Sequence, residues 1–450
     1  MDVDGVRAET GRSRPDAPHP AAGTGPDPGD RRIDDAVIVG GGAAGLCLAH
    51  RLATAPGPDG APGPHGATGP DGRARTRLTL TLVEAPEGPL RPAERTWCSW
   101  DTGPGDFEDA VTASWTRLRV WGPDGRPVEA EPAPLRYRMV RSGPFERLVH
   151  DRLASSPGAR VLRATAHEVR EARGKGYAAE VRCTAPGGQP LTLRARHVFD
   201  SRPLPRVPPH RTLLLQHFRG WFVRTGAPRF EPGVADLMDF RVPQPRHGLA
   251  FGYVLPLAPD RALVEYTEFS RTPLTTPAYE AALRHYTHRV LGLGPLTVES
   301  AEQGVIPMTD ARFPRRTGPA VFRIGAASGA TRPATGYTFA AVRRQSRAVA
   351  TALHRGRPDV PPPHRRRHLA MDAVLLRALD TGRVDGPRFF TDLFRRVPME
   401  RMLRFLDGAS TPWEEFGIGL RTPVLPMLRT AAELPFLPHR AAGRTETSPR

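Results

Sequence analysis

Cysteine is scarce, with Cys47, Cys98 and Cys183 the only three in 450 residues. They are odd in number, widely spaced and without a CxxC pair, which excludes a disulfide framework and a cysteine zinc site; no metal is expected. Lysine is scarcer still: Lys175 stands alone, so the formal net charge of +17 is almost wholly arginine charge. The arginines are scattered along the chain, with short clusters such as Arg343-Arg344 and Arg365-Arg366-Arg367. No zinc-finger, homeodomain or RNA-recognition pattern accompanies them, and nucleic-acid binding is not expected. A basic surface suits anionic lipid headgroups better. Long apolar runs are missing too, none reaching the ~20 residues of a transmembrane helix. The acidic, polar start Met1-Asp2-Val3-Asp4 has no signal-peptide core. The expectation is a cytoplasmic protein, attached peripherally to the inner face of the membrane.

What the chain has in excess is Pro (51) and Gly (45), concentrated in a few stretches. Residues 1–31 read as a disordered arm, 55–75 as a flexible insertion and 438–450 as a polar tail. Between them the pattern predicts strand, helix, strand at Ala36–Val39, Ala44–Ala53 and Leu78–Val83, a βαβ unit. A strand at Arg138–Val140 and a helix over Phe145–Leu153 follow. Candidate strands then fall at Leu213–Leu215, Trp221–Val223, Phe251–Leu255 and Ala262–Tyr266. From about 364 to 432 the period is helical, with Phe389, Phe390, Leu393, Phe394, Met399, Met402, Leu403 and Phe405 as apolar positions. The division expected is a dinucleotide domain over 32–204 and 300–355, a β-rich substrate domain over 205–299 and a helical region over 356–437.

The most specific local signal is Val39-Gly40-Gly41-Gly42-Ala43-Ala44-Gly45-Leu46. It fits GxGxxG between a strand and a helix. Gly40 permits the tight turn, Gly42 lets the backbone approach a pyrophosphate, and Gly45 allows close packing of helix on strand. The amides of Ala43 and Ala44 open the helix, whose N-terminus attracts phosphate. Glu84, ending the second strand, is placed to accept hydrogen bonds from ribose hydroxyls; the insertion at 55–75 explains its unusually late position.

Several further segments, in order, resemble one family, the flavin-dependent lycopene cyclases of bacteria and plants. They are Thr96-Trp97-Cys98-Ser99-Trp100, Arg141-Ser142-Gly143-Pro144-Phe145, Val198-Phe199-Asp200-Ser201-Arg202 and Gln216-His217-Phe218-Arg219-Gly220-Trp221. Leu237-Met238-Asp239-Phe240, Phe251 to Leu257, Glu302 to Pro307, Gly325-Ala326-Ala327 and Pro333-Ala334-Thr335-Gly336-Tyr337 continue the series. Aromatic hydroxylases carry Gly-Asp where this chain has Gly325-Ala326, a departure that the cyclases share. The resemblance implies an α/β fold: an FAD-binding Rossmann-like domain, an inserted mostly β substrate domain and a C-terminal helical region. It implies Arg141, Gly325, Ala327 and Gly336 as further cofactor-binding residues, reduced FAD as cofactor and NAD(P)H as its electron source. It also implies lycopene β-cyclase activity, turning the linear ψ ends of lycopene into β-ionone rings without net redox change. Contact with other carotenoid enzymes is a further expectation.

Cyclising a polyene end needs a proton delivered to carbon, hence a carboxylic acid kept protonated in an apolar pocket. The candidate is Glu265 in Leu263-Val264-Glu265-Tyr266-Thr267, which matches the family's Leu-x-Glu-Glu/Asp-Thr; its other reading is an outward-facing strand residue. Tyr266 replaces the family's second acid, so Asp239 is the candidate partner, with Glu268 a weaker one. Trp97, Trp100, Phe218, Trp221, Phe251 and Tyr253 either line a polyene tunnel or pack the core. The alternative activity is that of an FAD-dependent monooxygenase or prenyl reductase on the same fold.

Overall fold

The computed structural model describes residues 32–54, 78–91 and 93–440. The arm at 1–31, the insertion at 55–75 and the tail beyond 440 lie outside the described residues. In chain order the first strands are β1 (Ile33–Val39), β2 (Leu80–Glu84), β3 (Thr96–Asp101), β4 (Val111–Trp115), β5 (Arg117–Trp121) and β6 (Pro127–Ala130). Next come β7 (Arg136–Arg141), β8 (Ala159–Arg163), β9 (Thr165–Gly174), β10 (Tyr177–Thr184) and β11 (Pro190–Asp200). The last six are β12 (Leu213–Thr225), β13 (Val234–Asp239), β14 (Leu249–Ala258), β15 (Arg261–Ser270), β16 (Leu296–Thr309) and β17 (Val321–Arg323).

The first sheet runs β8-β2-β1-β11-β10-β9, with β17 joining β11. Its centre, β2-β1-β11, is parallel. Strands of that kind are buried on both faces and read as unbroken apolar runs, which is why Ala36–Val39 was legible. Helix α1 (Ala43–Thr54) returns from β1, and α2 (Ser142–Ala154) packs beside it.

The second sheet runs β16-β12-β15-β14-β13-β5-β6. The expected strands at Leu213–Leu215 and Trp221–Val223 are one strand of 13 residues, β12, because Gln216 to Gly220 keep pairing with both neighbours. The sheet also takes in β5 and β6 from the stretch assigned to the dinucleotide domain. β5 pairs in parallel with β13, and Arg119 and Trp121 of β5 both donate to the buried Asp236. Strands β3, β7 and β4 form a third, small sheet.

The two faces of the second sheet pack against different partners. Leu249, Phe251, Leu255, Leu263 and Phe269 meet the small sheet and the C-terminal helices α6 (Gly386–Arg396) and α7 (Met399–Asp407). The earlier helices are α3 (Thr276–His285), α4 (Phe339–His354) and α5 (Arg366–Asp380). On the other face Ala250, Val254, Val264 and Tyr266 meet α3 through Tyr279 and Leu283. Phe389, Phe390, Leu393, Met402 and Leu403 are therefore core residues. The helices that end the described chain, α8 (Pro412–Gly419) and α9 (Val424–Glu433), turn large apolar side chains outward instead.

Candidate functional site

The turn after β1 has the shape of a dinucleotide cradle. Gly40 adopts φ +103°, a region that a side chain disfavours. A Cβ on Gly45 would fall 1.9 Å from the Gly40 carbonyl oxygen, so α1 can start this close to β1 only without one. A Cβ on Gly42 would meet nothing within 4 Å, leaving its backbone open to a ligand. Ala43 and Ala44 open α1, whose first turn carries no acid to compete with phosphate. Glu84 packs against the same turn: its Oε1 lies 2.3 Å from where a Gly41 Cβ would stand. Its carboxylate is buried, accepts from His150 at 3.1 Å and forms an ion pair with Arg163 at 2.7 Å. Burial opposes its ionisation, but His150, Arg163 and Arg91 outweigh that and hold the carboxyl below its usual range.

The Gly325–Ser328 turn reaches the same place from the far end of the chain. A Cβ on Gly325 would stand 2.5 Å from the Cβ of Ala44. Gln345 of α4 accepts from the Gly325 amide at 3.0 Å, and Ala327 is buried in the turn. Beyond it, Gly336 (φ +71°) would drive a Cβ to 1.9 Å from Gln216 Oε1. Buried polar atoms around this loop without a partner among the described residues include Gln216 Oε1, Thr335 Oγ1, Arg332 Nε and the indole nitrogen of Trp100, whose ring lies 4.8 Å from that of Tyr337. A bound polar group is one way to satisfy such atoms. The glycine cradle and this orphaned set fit a dinucleotide with a polar ring system.

Arg141 ends β7 and precedes α2. It forms an ion pair with Glu94, and its guanidinium lies 4.5 Å above the ring of Phe222. That puts it at the seam between the small sheet and the second sheet.

Glu265 faces the interior side of β15. Opposite residues of antiparallel strands project to the same face, and Glu265 lies between Tyr253 of β14 and Gly220 of β12. Its Oε1 accepts from the Thr267 hydroxyl at 2.5 Å. Tyr253 shares a hydroxyl hydrogen bond with Tyr137, and Trp100 stacks on Tyr137 at 6.0 Å. The side chain is only partly covered, yet enough protein surrounds it to penalise the charged form. Burial first, then the carboxylate of Glu302, push its pKa up from 4.5 to about 8. A carboxyl so placed holds its proton at neutral pH beside aromatic side chains.

Asp239 is on the other face and does not meet Glu265. It pairs with Gly252, in the row of Tyr266. Arg241 donates to both of its oxygens, at 2.8 and 2.5 Å, and the Tyr286 hydroxyl donates at 3.0 Å. Glu268 shares that face and accepts from Tyr266 at 3.3 Å. The partner that the register does bring to Glu265 is Glu302 of β16, level with Gly220. Sequence reading placed Glu302 inside a family segment without giving it a role. The alternation of exposed and half-covered residues along β16, with Glu302, Gly304 and Ile306 turned inward, was the available signal.

The fold has solved counterparts. A flavoprotein/dehydrogenase from Cytophaga hutchinsonii superposes with TM-score 0.58 at 12% identity, over 89% of this chain and 99% of its own. A geranylgeranyl bacteriochlorophyll reductase-like protein from Thermoplasma acidophilum gives 0.55 at 14%, over 90% and 99%. The p-nitrophenol 4-monooxygenase of Pseudomonas putida gives 0.51 at 14%, over 91% and 99%. No curated relative matches the sequence. Residues 35–432 match the lycopene cyclase protein family. With that match covering most of its length, the chain belongs to the lycopene cyclase family.

Proposed function

We propose that this protein is a lycopene β-cyclase that binds FAD and closes the linear ends of lycopene into β-ionone rings. The observation that carries the reading is Glu265, a carboxyl kept protonated on the aromatic-lined face of the second sheet. Glu265 gives its proton to the terminal carbon–carbon double bond. The neighbouring double bond then supplies the electron pair of the new ring bond, and loss of a proton from a ring carbon restores an alkene. Atoms and electrons balance as an isomerisation. Trp100, Tyr137 and Tyr253 face the cation with their rings and exclude water. Asp239, already neutralised by Arg241, is not the partner in this scheme. FAD would be held by the Gly40–Gly45 turn, Glu84 and the Gly325–Gly336 loop, and when reduced by NAD(P)H it supplies negative charge next to a carbocation.

The substrate is a hydrocarbon dissolved in lipid, and the same reading puts the protein on an anionic bilayer surface. No helix among the described residues is long and apolar enough to cross a membrane. Support comes from Trp413 and Phe416 on α8, Leu420 just after it, Leu425 and Leu428 on α9, and Phe436, all exposed and interspersed with exposed Arg421, Arg429 and Arg440.

The test is product chromatography after incubating the flavin-loaded protein with lycopene in phosphatidylglycerol-containing liposomes, with the flavin reduced anaerobically. Cyclic carotenes should form without stoichiometric consumption of NAD(P)H. Oxygenated or hydrogenated products, with one NAD(P)H consumed per product, would instead identify a monooxygenase or a prenyl reductase. The apolar row is checked by flotation: Trp413→Ser with Phe436→Ser should leave the protein at the bottom of the gradient, and unchanged flotation would remove these residues from the docking surface.

A further inference from the structure

Tyr253, Glu265, Gly220 and Glu302 form one row across β14, β15, β12 and β16. The strand between the two carboxyl-bearing residues thus contributes a glycine at their level. A Cβ on Gly220 would stand 3.5 Å from Glu265 Cβ, 3.5 Å from Glu302 Cγ and 2.8 Å from Leu263 Cδ1. Without that atom nothing of β12 but backbone separates the two side chains. Glu302 is fixed from the opposite direction, where Thr96 Oγ1 of β3 donates to its Oε2 at 2.8 Å.

The other titratable groups around the pair are neutral or already committed. Tyr253, Tyr137 and Tyr337 are phenols that burial pushes further from ionisation, and the Cys98 thiol is pushed up to about 12. Burial raises the pKa of Glu302, which the Thr96 hydrogen bond and the charge of Arg141 oppose, and Arg141 is also paired with Glu94. Thr267 offers Glu265 a hydroxyl and no charge.

We propose that Glu302 is a positioning residue for the proton donor: across the gap at Gly220, and clamped by Thr96, it keeps the proton on Glu265 until the substrate alkene takes it. This rests on the reading of Glu265 as the acid. A carboxylate next to a second carboxyl disfavours a second negative charge, so the pair holds one proton where an isolated surface glutamate would have lost it. Glu302 touches neither the substrate nor the flavin in this role.

The experiment compares the flavin-loaded parent protein with Glu302→Gln, which keeps the shape and the acceptor for Thr96 but removes the charge. In liposomes carrying lycopene, the alkaline limb of kcat/KM should move down by about half to one pH unit. The rate at pH 8 then falls roughly two- to fivefold while the rate at pH 6 holds, because the parental acid is about half protonated at pH 8 and loses most of that as its pKa drops. Glu302→Asp should keep the parental limb. A limb that stays in place, or a loss equal at every pH, overturns the proposal.

A second readout needs no turnover. The carboxyl stretching band of Glu265, assigned by its loss in Glu265→Gln, should titrate at lower pH in Glu302→Gln. A lowered midpoint in a protein that fails to cyclise lycopene upholds the pair and sinks the activity; an unmoved midpoint in an active protein does the reverse. Should Glu302→Gln fail to bind flavin, Thr96→Val serves instead, with a smaller shift expected in the same direction and no shift counting against the proposal.

Discussion

On one face of the second sheet Asp239 accepts hydrogen bonds from Arg241 at both oxygens and from Tyr286. On the other, Glu265 has a threonine hydroxyl and, one glycine away, a like charge. Both carboxyls sit on the second sheet, Asp239 on β13 and Glu265 on β15, with β14 between them. What differs is the company each keeps. Asp239 is held in place by a matched cation and a phenol. A carboxyl with burial and a like charge as its surroundings keeps its proton and offers it.

The largest expected effect comes from breaking the acid side. Glu265→Gln should cut cyclisation on the order of 10³-fold, while flavin absorbance and melting temperature stay close to the parent. Retained product in the chromatogram would move the acid elsewhere. Breaking the ion-paired side should do the opposite. Asp239→Asn leaves the Arg241 guanidinium beside an amide, and urea denaturation should register about 2 kcal/mol of lost stability, below the usual cost of breaking a buried pair because Arg241 reaches solvent. Turnover per folded molecule should remain within about twofold. A large fall in turnover with stability intact would bring Asp239 into the chemistry.

A milder probe leaves the sequence alone. With the Glu265 pKa raised from 4.5 to about 8, the acid is loaded below that value and emptied above it. Cyclisation should be level up to about pH 8 and fall about tenfold per unit beyond. The stability sign agrees: a carboxyl whose folded pKa is raised favours the folded state at low pH, and that contribution is lost as pH rises from 4.5 to about 8. A rate that instead rises through this window would mean that the working form of Glu265 is the carboxylate.

How much of this was legible depended on the range over which each feature is determined. The Gly40–Gly45 turn is local, with strand, turn and helix all between Ile33 and Thr54, and α1 and β2 fall within a residue or two of their expected bounds. Glu265 was legible because a carboxylate inside Leu263-Val264-Glu265 breaks an apolar run. Its partner was not. Which of Asp239, Glu268 and Glu302 meets Glu265 is set by strand register, where a shift of one residue exchanges the faces. That register is fixed by pairing between β12, β15 and β16, not by any one of them. The membership of β5 in the second sheet was hidden for the same reason, since its parallel partner β13 lies more than a hundred residues downstream.

That excursion of β5 and β6 has a consequence for how the protein is made and how it comes apart. During synthesis β5 leaves the ribosome long before β13, so its hydrogen-bonding edge must wait, and non-local pairing of this kind is slow. A fragment cut at 205–309 would expose the β13 edge as a template for aggregation. It would also strip the buried Asp236 of Arg119, its cation, and of the Trp121 indole. The stretches that build the first and second sheets are therefore threaded together, and they should melt in a single cooperative transition rather than as separable modules.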